Sequence, residues 1–279
     1  MRPFSGILDR AVAFSLDRLE RLSDRRHSVA PLCKEPLGSD AEYLRRWHQA
    51  REAAYPAVDA FERACGAAID PEWFHRLGLM TQVFIKQSPT CYQHGRLLYA
   101  SLARYIRERC GRQLNIVETG TARGFSALCM AKALSDAGAT GKIASFDVLP
   151  HDTRIFWNSI HDADGPRTRA ELLAEYTDLI ESYVVFHRGD TRLALRKIAF
   201  PRVHFAFLDS AHTYDHVMAE FATIGARQRA GDVLFFDDYT PDAYAGVVRA
   251  ADEICDAHGY VPTAVAAGPA RQYLIAEKQ

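Results

Sequence analysis

The stretch Val117-Glu118-Thr119-Gly120-Thr121-Ala122-Arg123-Gly124 decides how this chain is read. It closes an apolar run, residues 114–118, and opens a helical stretch, residues 125–137. Small residues at a strand-to-helix turn let the backbone bend sharply and approach a ligand closely. In open α/β sheets, ligands sit beyond the carboxyl ends of the strands, and this is the first strand of an alternating region. A dinucleotide fingerprint needs G-x-G-x-x-G. Here the next glycine after Gly120 comes four residues later, so the spacing disfavours a dinucleotide.

Working outward, short apolar runs alternate with helical stretches from residue 114 onward. The runs are residues 142–147, 184–187, 203–208 and 233–236, and helices are expected at 214–226 and 243–258. That alternation predicts parallel βαβ units in an open, doubly wound sheet. Runs 260–264 and 271–275 have no helix between them, which predicts an antiparallel pair at the edge. Before residue 114 the texture is helical. Asp70-Pro71-Glu72 has an N-cap followed by proline at the first helical position. Residues 40–55 form a helix candidate ended by Pro56. A longer helix within 89–109 carries Leu97, Leu98, Leu102, Tyr105 and Ile106 on one face. Phe4, Ile7, Leu8, Ala11 and Phe14 recur at helical spacing, either as an intrachain dock or as a contact between subunits.

Composition narrows the classes. The chain has 279 residues, 48% hydrophobic and 25% charged, enough to fill a core without staples. A net charge of −1 argues against a polynucleotide partner, whose phosphates demand a basic excess. None of the six cysteines forms a Cys-x-x-Cys pair, so buried reduced thiols are expected rather than zinc or disulfides. Asp9 and Arg10 interrupt the apolar N-terminal stretch, and no run reaches the length of a membrane span. A cytoplasmic protein without membrane contact is the expectation.

Acids stand at the ends of the strand candidates. Asp147 ends the second run, where a carboxylate can accept hydrogen bonds from both ribose hydroxyls of an adenosine, or serve a turn. Asp190 follows the third run and suits a helix cap. Asp209, Asp237 and Asp238 follow the fourth and fifth runs. Carboxylates converging at one sheet edge repel one another. A divalent cation such as Mg²⁺ would relieve this and could lower the pKa of a substrate hydroxyl. The plainer alternatives are a helix cap for Asp209 and a solvated turn for Asp237-Asp238.

The pattern acidic-x-Gly-x-small-x-Gly resembles motif I of class I S-adenosylmethionine-dependent methyltransferases. Asp209-x-x-His212-x-Tyr214, followed by Asp237-Asp238-Tyr239, is similar to the macrocin O-methyltransferase-like enzymes and, more distantly, to the catechol and caffeoyl-CoA O-methyltransferases. Ser88-Pro89 with His94-Gly95-Arg96-Leu97-Leu98 is similar to the segment preceding motif I in those cation-dependent enzymes. The resemblance implies a Rossmann-like, mostly parallel seven-stranded sheet over residues 88–279, preceded by a helical extension, residues 1–87. It implies a cofactor site of Glu118, Gly120, Thr121, Ala122, Gly124, Asp147, Asp190 and Asp209, and metal ligands Asp209, Asp237 and Asp238. Ala122 stands where the usual middle glycine does, which requires a negative φ there. Macrocin-type enzymes often carry an acid at the position of Ala211, and alanine cannot act as a base. His212 is then the candidate base beside Asp209, its ring titrating near working pH.

The activity implied is Mg²⁺-dependent O-methylation of a small hydroxylated molecule, a sugar or natural product. Residues 148–167, with His151, Asp152, Phe156, Trp157, His161 and Asp162, suit a lid over that substrate or an ordinary packed insertion. Alternatives are a macrocin-like-fold hydroxylase, an NAD-dependent oxidoreductase and a non-catalytic scaffold. The acids retained together at Glu118, Asp147, Asp209, Asp237 and Asp238 argue against the last.

Overall fold

The computed structural model describes residues 35–109, 113–268 and 271–279. Its sheet has seven strands: β1 (Leu114–Thr119), β2 (Gly141–Asp147), β3 (Val184–Arg188), β4 (Phe205–Leu208), β5 (Val233–Phe236), β6 (Tyr260–Ala266) and β7 (Gln272–Lys278). They lie in the order β3-β2-β1-β4-β5-β7-β6. The first five are parallel, and β7 inserts antiparallel between β5 and β6. The fourth strand begins at Phe205 rather than at Val203 as its apolar run suggests.

Strand periodicity distributes the core over both faces of the sheet. Ile116, Phe205, Phe207, Val233 and Phe235 pack on one side. Val117, Ala206, Leu208, Leu234 and Phe236 pack on the other. Because both faces are covered, the central strands read as continuous apolar runs. β1 pairs with β2 on one side and β4 on the other, so the crevice opens at the carboxyl end of β1.

Among the described residues, four helices precede the sheet: α1 (Asp40–Glu52), α2 (Pro56–Cys65), α3 (Pro71–Thr81) and α4 (His94–Glu108). The Asp70 carboxylate caps α3, accepting from the Trp73 N–H at 2.8 Å. Pro56 begins α2, and α1 has already ended at Glu52, with Ala53 extended. Tyr43, Val58, Phe74 and Leu77 share one continuous core with Leu97, Leu98, Leu102 and Phe125. The described helices before residue 88 therefore share the core on one face of the sheet. The stretch around Phe4–Phe14, on which a subunit contact rests, lies outside the described residues, as do Cys33 and Cys110. Cys65, Cys91, Cys129 and Cys255 are free thiols.

The connections are α5 (Phe125–Asp136) after β1, and α6 (Arg169–Leu172) with α7 (Thr177–Tyr183) before β3. Next come α8 (Thr191–Ala194) after β3, α9 (Tyr214–Ile224) after β4 and α10 (Ala245–His258) after β5. Residues 148–167 are a packed insertion. Trp157, Asn158, Ser159 and Asp162 are buried. The Asn158 side-chain oxygen accepts from the Tyr43 hydroxyl at 3.1 Å and the Ile85 N–H at 2.8 Å, and its amide donates to the Ile85 carbonyl at 3.1 Å. These bonds tie the insertion to the N-terminal helices. Within it, only Val148 and Leu149 reach the cavity described next, so of its two readings the packed insertion describes it, as a bracket rather than a lid.

Candidate active site

A cavity of about 520 Å³ opens where the carboxyl ends of β1, β2 and β4 meet. Its first wall is the loop after β1. Gly120 has φ 89°, and a Cβ there would lie 1.8 Å from the Asp209 carbonyl oxygen. Only glycine permits the exits of β1 and β4 to touch in this way. Gly124, with φ 91°, turns the chain into α5.

Ala122 departs from expectation: its φ is +44°, not negative. A left-handed alanine costs roughly 1–2 kcal/mol. Two hydrogen bonds hold it. Its N–H donates to Asp147 Oδ2 at 2.6 Å, and its carbonyl accepts from Arg169 Nε at 2.9 Å. Arg169 is buried against the rings of Trp157 and Phe186, and burial lowers its guanidinium to about 10.

Asp147 also accepts from the Leu149 N–H at 2.8 Å. Both oxygens therefore brace backbone, yet a carboxylate offers about four lone-pair sites and retains acceptor capacity toward the cavity. Gly120, Thr121, Ala122, Asp147, Asp190 and Asp209 line the cavity; Glu118 and Gly124 do not. Glu118 stands behind the wall, fully buried, and accepts from the hydroxyls of Ser126 and Ser145. Burial pushes its carboxyl up to about 7, against the pull of those donors. Gly124 faces Leu173. Asp190 caps α8, accepting from the Arg192 N–H at 3.0 Å and pairing with its guanidinium at 2.6 Å. Arg192 holds the Asp190 carboxyl down at about 2. Capping and cavity lining thus coexist at this residue.

The strand-end aspartates separate into two groups. Asp237 and Asp238 are buried, at 2% and 4% exposure, so a solvated turn is ruled out. Both Asp237 oxygens accept from Arg271 Nη2, at 2.7 and 2.8 Å. That pairing engages the Asp237 that the sequence resemblance makes a metal ligand and leaves it beside the closest cluster. The cluster instead joins Asp209, His212 and Asp238, whose ligand atoms lie within 4.8 Å of one another. His212 Nε2 is 3.0 Å from Asp238 Oδ2 and 3.4 Å from Asp209 Oδ1. Its ring also tilts over Tyr244 at 4.7 Å. Burial and the neighbouring Asp237 push the Asp209 carboxyl well above the usual range. Burial opposes the charge on Asp238 as well, but Arg271 and His212 outweigh it and hold that carboxyl low.

Three residues outside the sequence motifs also shape this site. Arg271 supplies the countercharge, and its signal was topological: β5 and β7 pair antiparallel with Phe236 opposite Leu274, which brings the two chain ends together. Lys86 lines the cavity with its ammonium 4.6 Å from the Phe84 ring, and burial and then Arg271 lower it to about 8. Glu220, buried in α9, gathers several hydroxyls behind the wall.

A seven-stranded sheet in this order, with an acid-lined crevice beyond β1 and β2, is the class I methyltransferase arrangement. Residues 117–239 match a family described as a methyltransferase domain. No curated protein matches the chain. Among solved structures, the cofactor-bound Rv0187 from MTB is 17% identical, covering 81% of this chain and 98% of that one, with a TM-score of 0.54. The O-methyltransferase NovP is 14% identical over 70% and 83%, TM-score 0.53. TomG from Streptomyces achromogenes, an O-methyltransferase of tomaymycin synthesis in complex with SAM, is 18% identical over 76% and 92%, TM-score 0.50. At these identities the likeness is one of fold. Residues 117–239 thus resemble a methyltransferase domain, and the whole sheet has the class I methyltransferase fold.

Proposed function

We propose that this protein transfers a methyl group from S-adenosylmethionine to a hydroxyl of a small molecule. One observation carries the reading: Asp209, His212 and Asp238 cluster in the same cavity as the loop Gly120–Arg123. Methyl transfer is an in-line displacement, so the protein's task is to align the acceptor oxygen and remove its proton. The wall from Gly120 to Ala122, together with Asp147 and Asp190, fits the nucleoside of the donor. Two carboxylates and an imidazole across the cavity fit the acceptor end. The cavity admits a small molecule beside the donor, and the chain's charge of −1 offers nothing for a polyanion. O-methyltransferases among the structures of like fold support oxygen as the accepting atom.

The donor chemistry of the cluster suits a divalent cation. Asp209 and Asp238 would contribute oxygen and His212 nitrogen, a mixed set closer to the preference of Mn²⁺ or another transition ion than to the all-oxygen preference of Mg²⁺. Bound there, such an ion supplies Lewis acidity that lowers the pKa of a hydroxyl. Arg271 favours a second reading, because it already neutralises Asp237 and Asp238. In that reading His212 takes the acceptor proton itself, with Asp238 at 3.0 Å orienting the ring and stabilising its charged form.

Calorimetry separates these readings. S-adenosylhomocysteine should bind in the micromolar range, and absence of binding would overturn the methyltransferase reading. Mn²⁺ titrated into the S-adenosylhomocysteine complex should bind, and Asp238→Asn should abolish that binding. If Mn²⁺ does not bind the wild-type complex, the metal-free reading with His212 as base stands.

A further inference from the structure

Glu220 lies in α9, outside the cavity and 1% exposed. Its carboxylate collects donors from three separate strand ends. Thr119 Oγ1, at the end of β1, donates to Oε2 at 3.0 Å. Thr191 Oγ1, opening α8 after β3, donates to Oε1 at 2.5 Å. Ser210 Oγ, after β4, donates to the same oxygen at 2.5 Å. His216 Nε2 is 3.6 Å away and also contacts Thr191 Oγ1, at 2.9 Å.

Each of these donors sits at or beside the cavity wall. Thr119 precedes Gly120, and Thr191, Ser210 and His216 themselves line the cavity, as do Asp190 and Asp209 next to them. The exits of β1 and β4 are in backbone contact: Asp209 N–H donates to the Thr119 carbonyl at 3.0 Å, beside a Gly120 that admits no Cβ. The exit of β3 is separated from β1 by β2 and from β4 by both. Side-chain bonds to Glu220 therefore tie the α8 end of the cavity to the Asp209 end. A carboxylate is suited to this role because it only accepts, and it offers room for several donors on two oxygens. Buried in low dielectric, such a network fixes geometry tightly.

We infer that Glu220 is a positioning residue that holds the exits of β1, β3 and β4 in the register required to bind the methyl donor. This rests on the methyltransferase reading above. Glutamine keeps the shape but replaces one acceptor with an amide donor, so at least one hydroxyl loses its partner and its loop shifts.

The test is the affinity of purified full-length protein for S-adenosylhomocysteine, with thermal unfolding measured in parallel. Glu220→Gln should weaken binding about ten-fold, as loss of an outer-shell partner does elsewhere. Ile254→Ala, a buried α10 side chain outside the cavity lining, should lower Tm at least as much and leave the affinity unchanged. Thr191→Val should weaken binding in the wild type and weaken it less in the Glu220→Gln background, since the two variants share the Thr191–Glu220 bond. A folded Glu220→Gln with wild-type affinity, or additive losses in the double variant, would overturn the inference alone. If Glu220→Gln does not fold, Thr191→Val and Ser210→Ala decide it: wild-type affinity in both is the overturning result. Failure of the wild type to bind S-adenosylhomocysteine would remove the methyltransferase reading and this inference with it.

Discussion

At the scale of single residues, the loop after β1 shows how little freedom the cavity wall has. Gly120 was readable from the sequence as a small residue at a turn. Its reason is specific: a Cβ there would lie 1.8 Å from the Asp209 carbonyl oxygen. Gly120→Ala should therefore part β1 from β4, lower stability by more than about 1 kcal/mol for the positive φ alone and abolish S-adenosylhomocysteine binding. Chemical denaturation and calorimetry check both parts. Ala122 teaches the opposite lesson. Alanine suggested a negative φ, yet the residue is left-handed because Asp147 and Arg169 grip its N–H and carbonyl from elsewhere in the chain. A local preference of roughly 1–2 kcal/mol yields to two hydrogen bonds, each to a charged group.

At the scale of elements, the insertion between β2 and β3 is the clearest case of a role changed by packing. Its mixture of histidine, aspartate and aromatic residues suits a substrate cover, but Trp157 and Asn158 are wholly buried. Asn158 also has φ 53°, a conformation asparagine tolerates better than most residues. Asn158→Ala removes three hydrogen bonds that join this insertion to Tyr43 and Ile85. It should cost about 2–4 kcal/mol in urea unfolding, at roughly 1 kcal/mol per bond plus unsatisfied partners. Loss under about 0.5 kcal/mol would mean the insertion is not the bracket described. The β5–β7 pairing is a second case. The antiparallel edge was legible in the missing helix between its two runs, whereas the ion pair it creates between Asp237 and Arg271 was not. Residues 34 apart meet only once the register of the sheet is known.

At the scale of the whole molecule, burial of ionisable groups behind the cavity gives stability a pH dependence. Glu118 is raised to about 7 from an ordinary value of 4.5, mainly by burial. Between those values the folded state holds a proton that the unfolded state has released. The group's contribution to stability therefore falls as pH rises from about 4.5 to about 7 and levels off above. His94, buried and lowered to about 4, acts in the opposite sense, since unfolding takes up a proton below the ordinary 6.5. Comparison with Glu118→Gln isolates the first group. The stability of the wild type relative to the variant should decline across that window in urea titrations at successive pH values, and a flat difference would mean that Glu118 titrates normally.

The sequence by itself determined the alternating α/β architecture, the antiparallel edge, the Asp70 cap and the strand ends where chemistry had to gather. Periodicity and turn chemistry are short-range, and they survive translation into one dimension. Only the tertiary structure decided which acids meet. It sent Asp237 to Arg271, joined His212 to Asp209 and Asp238, placed Glu118 behind the wall and made Glu220 a hub for hydroxyls from three strand ends. Those outcomes depend on sheet register and on burial. Electrostatic partnership in a low-dielectric interior is set by distances of a few ångströms between residues far apart in the chain, and no local pattern records them.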